Sequence, residues 1–206
     1  MLEPFFAVFA GTAVEFFETA AIVYAIARAG YPKEALSALV LGHLAVLLMA
    51  IFLLPLQAVF PVFALRLLAG LLLLSTGLYW SLKSWRRMLS HQRPRWAEDP
   101  LGKLKVEPAI SGAAFSMFVF FVTLKSSLIE AGEILLLVFP VAAPTAAWHQ
   151  AFWGVATGIA TVSAVMLALH GQLKKVPEVK LKLATGLVLS ALGLWWLLEL
   201  YLDTAL

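Results

Sequence analysis

Four glutamates in this sequence are spaced to act together. Glu15 and Glu18 lie three residues apart in VEFFETAA, and Glu130 and Glu133 repeat that spacing 115 residues later in IEAGEILL. On a helix, positions i and i+3 share a face, so each pair presents two carboxylates to a common ligand. Both pairs stand inside runs written mainly in Leu, Ala, Val and Phe. A charge at the bilayer centre costs about 2.5–3.5 kcal/mol on insertion scales, and four clustered carboxylates also repel one another. They persist together only if a cation sits among them or some of them hold protons. Cation and protons then compete for the same oxygens, which is the chemistry of exchange. An all-oxygen ligand set favours hard cations such as Ca²⁺, Mg²⁺ or Mn²⁺, with iron next. The expected metal ligands are therefore Glu15, Glu18, Glu130 and Glu133. The alternative, that these acids only hydrogen-bond helices together, is weakened by the repetition of the pair.

Secondary positions surround the acids. Thr19, Ser126 and Ser127 are close enough in the chain to add hydroxyl oxygens or to hydrogen-bond the carboxylates. Gly132 leaves the backbone open beside Glu133, as close helix approach requires. His43, after Gly42, suits a proton relay, a metal ligand or a plain hydrogen-bonded helix contact. Lys125 precedes Glu130 by five residues and has no counterpart before Glu15. It is either an internal counter-ion or a side chain snorkelling to the membrane surface. His91, His149 and His170 form no metal-ligand spacing.

The elements that must position these residues are membrane helices. Of 206 residues, 62% are hydrophobic and only 13% are charged, far from the balance of a soluble domain. A spanning helix needs roughly 20 mostly apolar residues, and six such runs are present, at about 4–28, 36–56, 60–82, 109–139, 147–170 and 181–202. The first carries two Glu and no basic lead-in, unlike a cleavable signal peptide. The absence of cysteine excludes disulfides and thiolate sites. The fold expected is thus an all-α integral membrane protein of six transmembrane helices, multi-pass in the plasma (inner) membrane. The bilayer is its partner and a homo-oligomer is compatible with it. The excess of basic residues marks membrane orientation and implies no nucleic-acid partner. Lys and Arg gather at Arg28 and Lys33, between Lys83 and Lys105, and at Lys174, Lys175, Lys180 and Lys182. Thirteen of the fifteen then lie on one side of the membrane, leaving Arg66 and Lys125 as exceptions. By the positive-inside rule that side is cytoplasmic and both termini are outside.

The chain is also written twice. Pro61–Trp80 and Pro177–Trp196 share nine of twenty positions, including the Pro, both Gly, the final Trp and five Leu. The glycines Gly70 and Gly77, like Gly186 and Gly193, are seven residues apart and therefore on one helix face, as tight packing requires. Together with the repeated acid pair, this defines a three-helix unit at 1–82, a basic cytoplasmic linker at 83–108 and a second unit at 109–206. Three spans is an odd number, so the second unit is expected to be inverted. Secondary transporters are often built this way, with the substrate site at the midplane between repeats.

A duplicated three-helix unit with an acid pair in the first helix of each copy resembles the Golgi-type cation/proton antiporters, which carry two E-x-G-D-(K/R)-(T/S) motifs. Glu15 and Glu130 match the first acid, Glu18 and Glu133 stand at the Asp, Gly132 matches the glycine, and Thr19 falls near the hydroxyl end. Phe17 replaces the first glycine, and the basic residue after each Asp is missing. The resemblance implies exchange of Mn²⁺ or Ca²⁺ for protons, the cation being cargo and no cofactor being tightly bound. A second resemblance is to oxidase-linked iron permeases, whose R-E-x-x-E motif shares the acid spacing, with Val14 and Ile129 in place of Arg. A reading from another class is a non-transporting membrane assembly subunit, for which neutralising the four Glu leaves activity intact. No H-E-x-x-H or G-x-S-x-G motif is present, so no enzyme is expected.

Overall fold

The computed structural model describes residues 3–94, 99–108, 114–169 and 177–205. It is all-helical. Six long helices make up the fold: α1 (Glu3–Arg28), α2 (Pro32–Leu53), α3 (Val62–Leu89), α4 (Met117–Ala142), α5 (Trp148–Leu169) and α6 (Glu178–Ala205). Five of them are long and apolar enough to cross a membrane. The sixth, α4, has 26 residues, about 39 Å of helix, but carries Lys125, Glu130 and Glu133 within the length of one span. The chain is a multi-pass membrane protein. Its outer surface is lined by exposed Leu, Phe, Val and Trp side chains such as Leu48, Phe52, Leu67, Phe121, Phe152 and Leu198, a surface only lipid suits.

Helix ends follow local chemistry. Glu3 in the first turn and Arg28 in the last complement the α1 macrodipole. Gly30, at φ 102°, stops α1, and the amide of Tyr31 donates back to Ile26 O at 3.2 Å. Pro32 then opens α2 four residues ahead of the apolar run, because proline suits a first helical turn. A 3-10 segment, Leu54–Val59, leads to Pro61 and α3. Helix α3 runs to Leu89 rather than 82, so Lys83, Arg86 and Arg87 are helical, with both Arg in its last turn. Helix α4 starts at Met117 because the Ser116 hydroxyl accepts from the Val119 amide at 3.4 Å. The Ser116 amide itself donates to Glu34 Oε1 at 2.8 Å, which joins the start of α2 to the start of α4.

The described part of the expected linker is packed. Pro100–Leu104 forms one helical turn capped by Asp99. Val106 is buried, and Leu101 and Leu104 pack with it against Ile22, Ile26 and Met166. Arg93 donates to Glu178 through Nε at 2.7 Å and Nη2 at 2.5 Å, clamping the end of α3 to the start of α6. Arg95, His170, Lys174 and Lys175 lie outside the described residues.

Contacts between the long helices concentrate in three pairs: α3 with α6, α1 with α5, and α2 with α4. Helix α1 is the most buried of the membrane-length helices and also packs on α4. Small residues allow the close crossings. A Cβ on Gly77 would collide with Ser190 N and stand 2.7 Å from Gly186 O; one on Gly193 would stand 2.5 Å from Leu74 N and 2.8 Å from Gly70 O. The glycine face expected from the seven-residue spacing is therefore the α3–α6 interface. Gly42 meets Ser127 across α2–α4, and Gly158 meets Thr12 across α1–α5.

Candidate metal centre

The α1–α4 contact brings the two acid-bearing helices together near their middles. Glu15, Glu130 and Glu133 each place one carboxylate oxygen so that all three lie within 4.8 Å of one another. Oxygens at that spacing are within the span of one hard cation bound at about 2.0–2.6 Å. Glu15 is 0% and Glu130 6% exposed, so the cluster is withdrawn from solvent; Glu133 is half-buried. Glu133 opens onto a cleft of about 320 Å³ shared with Ser75, Thr76, Tyr79, Trp80 and Leu136.

Glu18, the fourth acid, is buried but engaged otherwise. Its Oε1 accepts from Lys182 Nζ at 2.8 Å, and the same ammonium lies 3.0 Å from Glu15 Oε1. Lys182 is thus an internal cation shared by both acids of the first pair. The contact to Glu15 is an ion pair without hydrogen-bond geometry. The Lys182 side chain is only 15% exposed, and its ammonium sits 4.8 Å from the centre of the Trp80 ring, a cation–π contact. Counted among the cytoplasmic basic residues in the sequence, Lys182 in fact reaches into the protein, whereas Lys180 is exposed. Lys125, the other candidate counter-ion, is exposed on α4, as a snorkelling side chain would be.

The hydroxyls around the acids are buried. Thr19 and Ser127 are each 1% exposed and Ser126 9%, and Thr19 Oγ1 and Ser127 Oγ have no hydrogen-bond partner among the described residues. Thr12, which sequence reasoning passed over, belongs with them: it is 1% exposed and its Oγ1 is likewise unpartnered. Thr12 stands one turn before Glu15 as Ser127 stands one turn before Glu130, again 115 residues apart. A buried hydroxyl without a partner costs about 1–3 kcal/mol. Glu15 Oε2 is unpartnered too. His43 stays outside the carboxylate set. Its Nδ1 is 3.0 Å from Leu39 O, its ring meets Phe16 edge-on at 5.5 Å, and its buried Nε2 is unpartnered. It lines an apolar cavity of about 230 Å³ with Val46, Ala131 and Ile134. Gly132 is not a packing glycine, since a Cβ there would meet nothing within 4 Å.

Two signals in the sequence point to the residues that were missed. The frame Thr/Ser-x-x-Glu-x-x-Glu occurs in both halves, at Thr12 and at Ser127. Lys182 precedes Gly186 by four residues, which puts it on the glycine face that turns toward α3. Arg66 holds the corresponding place before Gly70, but it is exposed and pairs with Asp203 at 3.3 Å. The chain matches no protein-family model, no curated protein and no solved structure.

Proposed function

We propose that this protein is a secondary transporter that exchanges a hard divalent cation, Mn²⁺ or Ca²⁺ foremost, for protons at the Glu15–Glu130–Glu133 cluster, with Glu18 as the fourth carboxylate. The observation that carries this reading is a set of buried oxygens without hydrogen-bond partners among the described residues. Glu15 Oε2, Thr12 Oγ1 and Ser127 Oγ are such atoms, Thr12 and Ser127 each one turn before a cluster acid on α1 and α4. Acidic oxygens converging from two helices, with hydroxyls beside them, are what a cation or protons would complete.

The chain is read further as two inverted repeats, N-out and C-out. The contact pattern supports this. A two-fold axis exchanging α1 with α4, α2 with α5 and α3 with α6 turns the α1–α5 contact into α2–α4 and maps α3–α6 and α1–α4 onto themselves. The small-residue crossings obey the same exchange. Gly42 on Ser127 has its counterpart in Gly158 on Thr12, and Gly70 with Gly193 has its counterpart in Gly186 with Gly77. With such symmetry a shared site would be expected near the axis, where the two halves meet. The likeness to Golgi-type cation/proton antiporters belongs to this reading. Iron is the second cargo considered, because the E-x-x-E spacing of both pairs is shared with the iron-permease motif.

Proteoliposomes with an internal pH dye test the proposal metal by metal, with Mn²⁺, Ca²⁺ and Fe²⁺. Cation entry should drive protons out. Glu15→Gln and Glu130→Gln should each lower flux by at least the roughly 10–100-fold that loss of even an outer-shell group costs, while the protein still folds. Undiminished flux in both variants removes the mechanism. A folded wild-type chain that moves none of the three cations favours the assembly-subunit reading.

A further inference from the structure

Glu15 belongs to two constellations at once. It is a member of the carboxylate triad with Glu130 and Glu133, and it is a partner of the Lys182 ammonium at 3.0 Å. A divalent cation and the ammonium therefore compete for one carboxylate, and Glu18, held at 2.8 Å, is the ammonium's other ligand. We propose that Lys182 is a tethered counter-cation, which holds Glu15 and Glu18 while the site carries no divalent cation and is displaced when one arrives. This rests on the reading of the carboxylates as a cation site.

Three features suit Lys182 to the task. A lysine ammonium is a compact charge on a flexible four-carbon stem, free to swing in a way a forked guanidinium held bidentately is not. There is space for it: a cavity of about 280 Å³ between α1, α5 and α6 is lined by Lys182, Glu18, Phe17, Val165 and, one turn back along α6, Glu178. The Trp80 ring offers a resting place that needs no carboxylate. Among the described residues the other half of the cluster has no such tether. Arg66, which occupies the corresponding position in α3, pairs with Asp203 instead, leaving Glu130 and Glu133 to the mobile cation.

The consequence is directional. In metal-for-proton exchange the metal-free carrier must return, and four bare carboxylates oppose that crossing. Lys182 supplies one positive charge to the Glu15–Glu18 pair, so that fewer negative charges are left for the exchanged protons to offset. Lys182 is thus needed for fast net transport, in which the metal-free carrier must return, and matters far less in cation-for-cation exchange, in which every crossing is metal-loaded.

Lys182→Met tests this in proteoliposomes. Net Mn²⁺ uptake into metal-free vesicles should fall roughly tenfold or more once the buried carboxylates lose their partner. Exchange of labelled Mn²⁺ into Mn²⁺-loaded vesicles, at saturating Mn²⁺, should fall far less than net uptake, and Lys182→Arg should recover part of the net uptake. Net uptake equal to wild type in the Met variant overturns the proposal. So does loss of uptake and exchange together in both variants, which marks Lys182 as structural. A measurement on the unmodified protein stands apart from variant folding. Mn²⁺ should raise the reactivity of Lys182 toward a small amine reagent, read by mass spectrometry against exposed Lys125. Bound Mn²⁺ with unchanged or reduced Lys182 labelling overturns this inference alone. A wild type that binds no Mn²⁺ overturns it together with the reading of the site.

Discussion

At the scale of single residues, the candidate site is marked by buried oxygens without partners among the described residues. Thr12 and Ser127 make this testable, because each buries a hydroxyl with no partner and each stands one turn before a cluster acid. Removing an unpartnered buried hydroxyl lifts a penalty of about 1–3 kcal/mol. Thr12→Val, close to isosteric, should therefore raise the melting temperature of the cation-free protein in detergent while weakening Mn²⁺ binding. Ser127→Ala should do the same. A lowered melting temperature with unchanged Mn²⁺ affinity would mean that the hydroxyls serve only helix packing. The four acids were legible in the sequence because a charge in an apolar run is conspicuous and repetition excludes accident. Which of them meet was not. Glu18 shares a helix face with Glu15, yet its oxygen is bound to Lys182 rather than gathered with the other three.

Helices set the geometry through small residues at their crossings. The seven-residue glycine spacing in α3 and α6 predicts a packing face, and the structure puts Gly77 against Gly186 and Gly70 against Gly193. Gly132, placed beside Glu133 in the sequence, has the same composition signal but a different role, since nothing lies within 4 Å of where its Cβ would be. The two kinds of glycine should respond differently to one added methyl. Gly77→Ala forces backbone apart and should cost on the order of 1–3 kcal/mol, as overpacking typically does. Gly132→Ala should be neutral or slightly stabilising, because alanine is the better helix former. Thermal unfolding of the two variants in detergent checks this, and equal losses would contradict the packing assigned to α3–α6. The bounds of α1, α5 and α6 were legible to within about three residues from the length of their apolar runs, whereas α2 opens at Pro32 rather than 36 and α4 at Met117 rather than 109. The extension of α3 to Leu89 was not legible, because its last turns leave the apolar run while remaining helical.

For the whole molecule, the open quantity is orientation across the bilayer, and the cysteine-free chain makes it simple to measure. With both termini outside, Ala58→Cys and Thr145→Cys should react with a membrane-impermeant maleimide on intact cells, and Ser90→Cys only after lysis. All three positions are exposed. The Thr145 result also decides whether α4 crosses despite its three charges. Reaction at Ser90 alone would reverse the orientation. Reaction at Ser90 and Thr145 from the same side would take α4 out of the set of spans. The same symmetry that relates the helix contacts also shows where the halves differ, Lys182 turned in on the acids and Arg66 out toward Asp203.

By itself the sequence determined the class of the protein and the number of its long helices, and it singled out the acids as candidates. These are matters of composition, period and spacing, and a bilayer leaves a hydrophobic chain few alternatives to helices of spanning length. Only the tertiary structure decided which charge answers those acids. Lys180 and Lys182 sit in one basic stretch and differ by two helical positions, about 200° around the axis. Which of them turns inward depends on the rotation of α6. That rotation is set by Gly186 and Gly193 closing on Gly77 and Gly70 of α3, a contact between segments more than a hundred residues apart. The glycine spacing marks the face of α6 on which Lys182 stands, but that this face brings its ammonium to Glu15 and Glu18 is decided by long-range packing against α3 and α1.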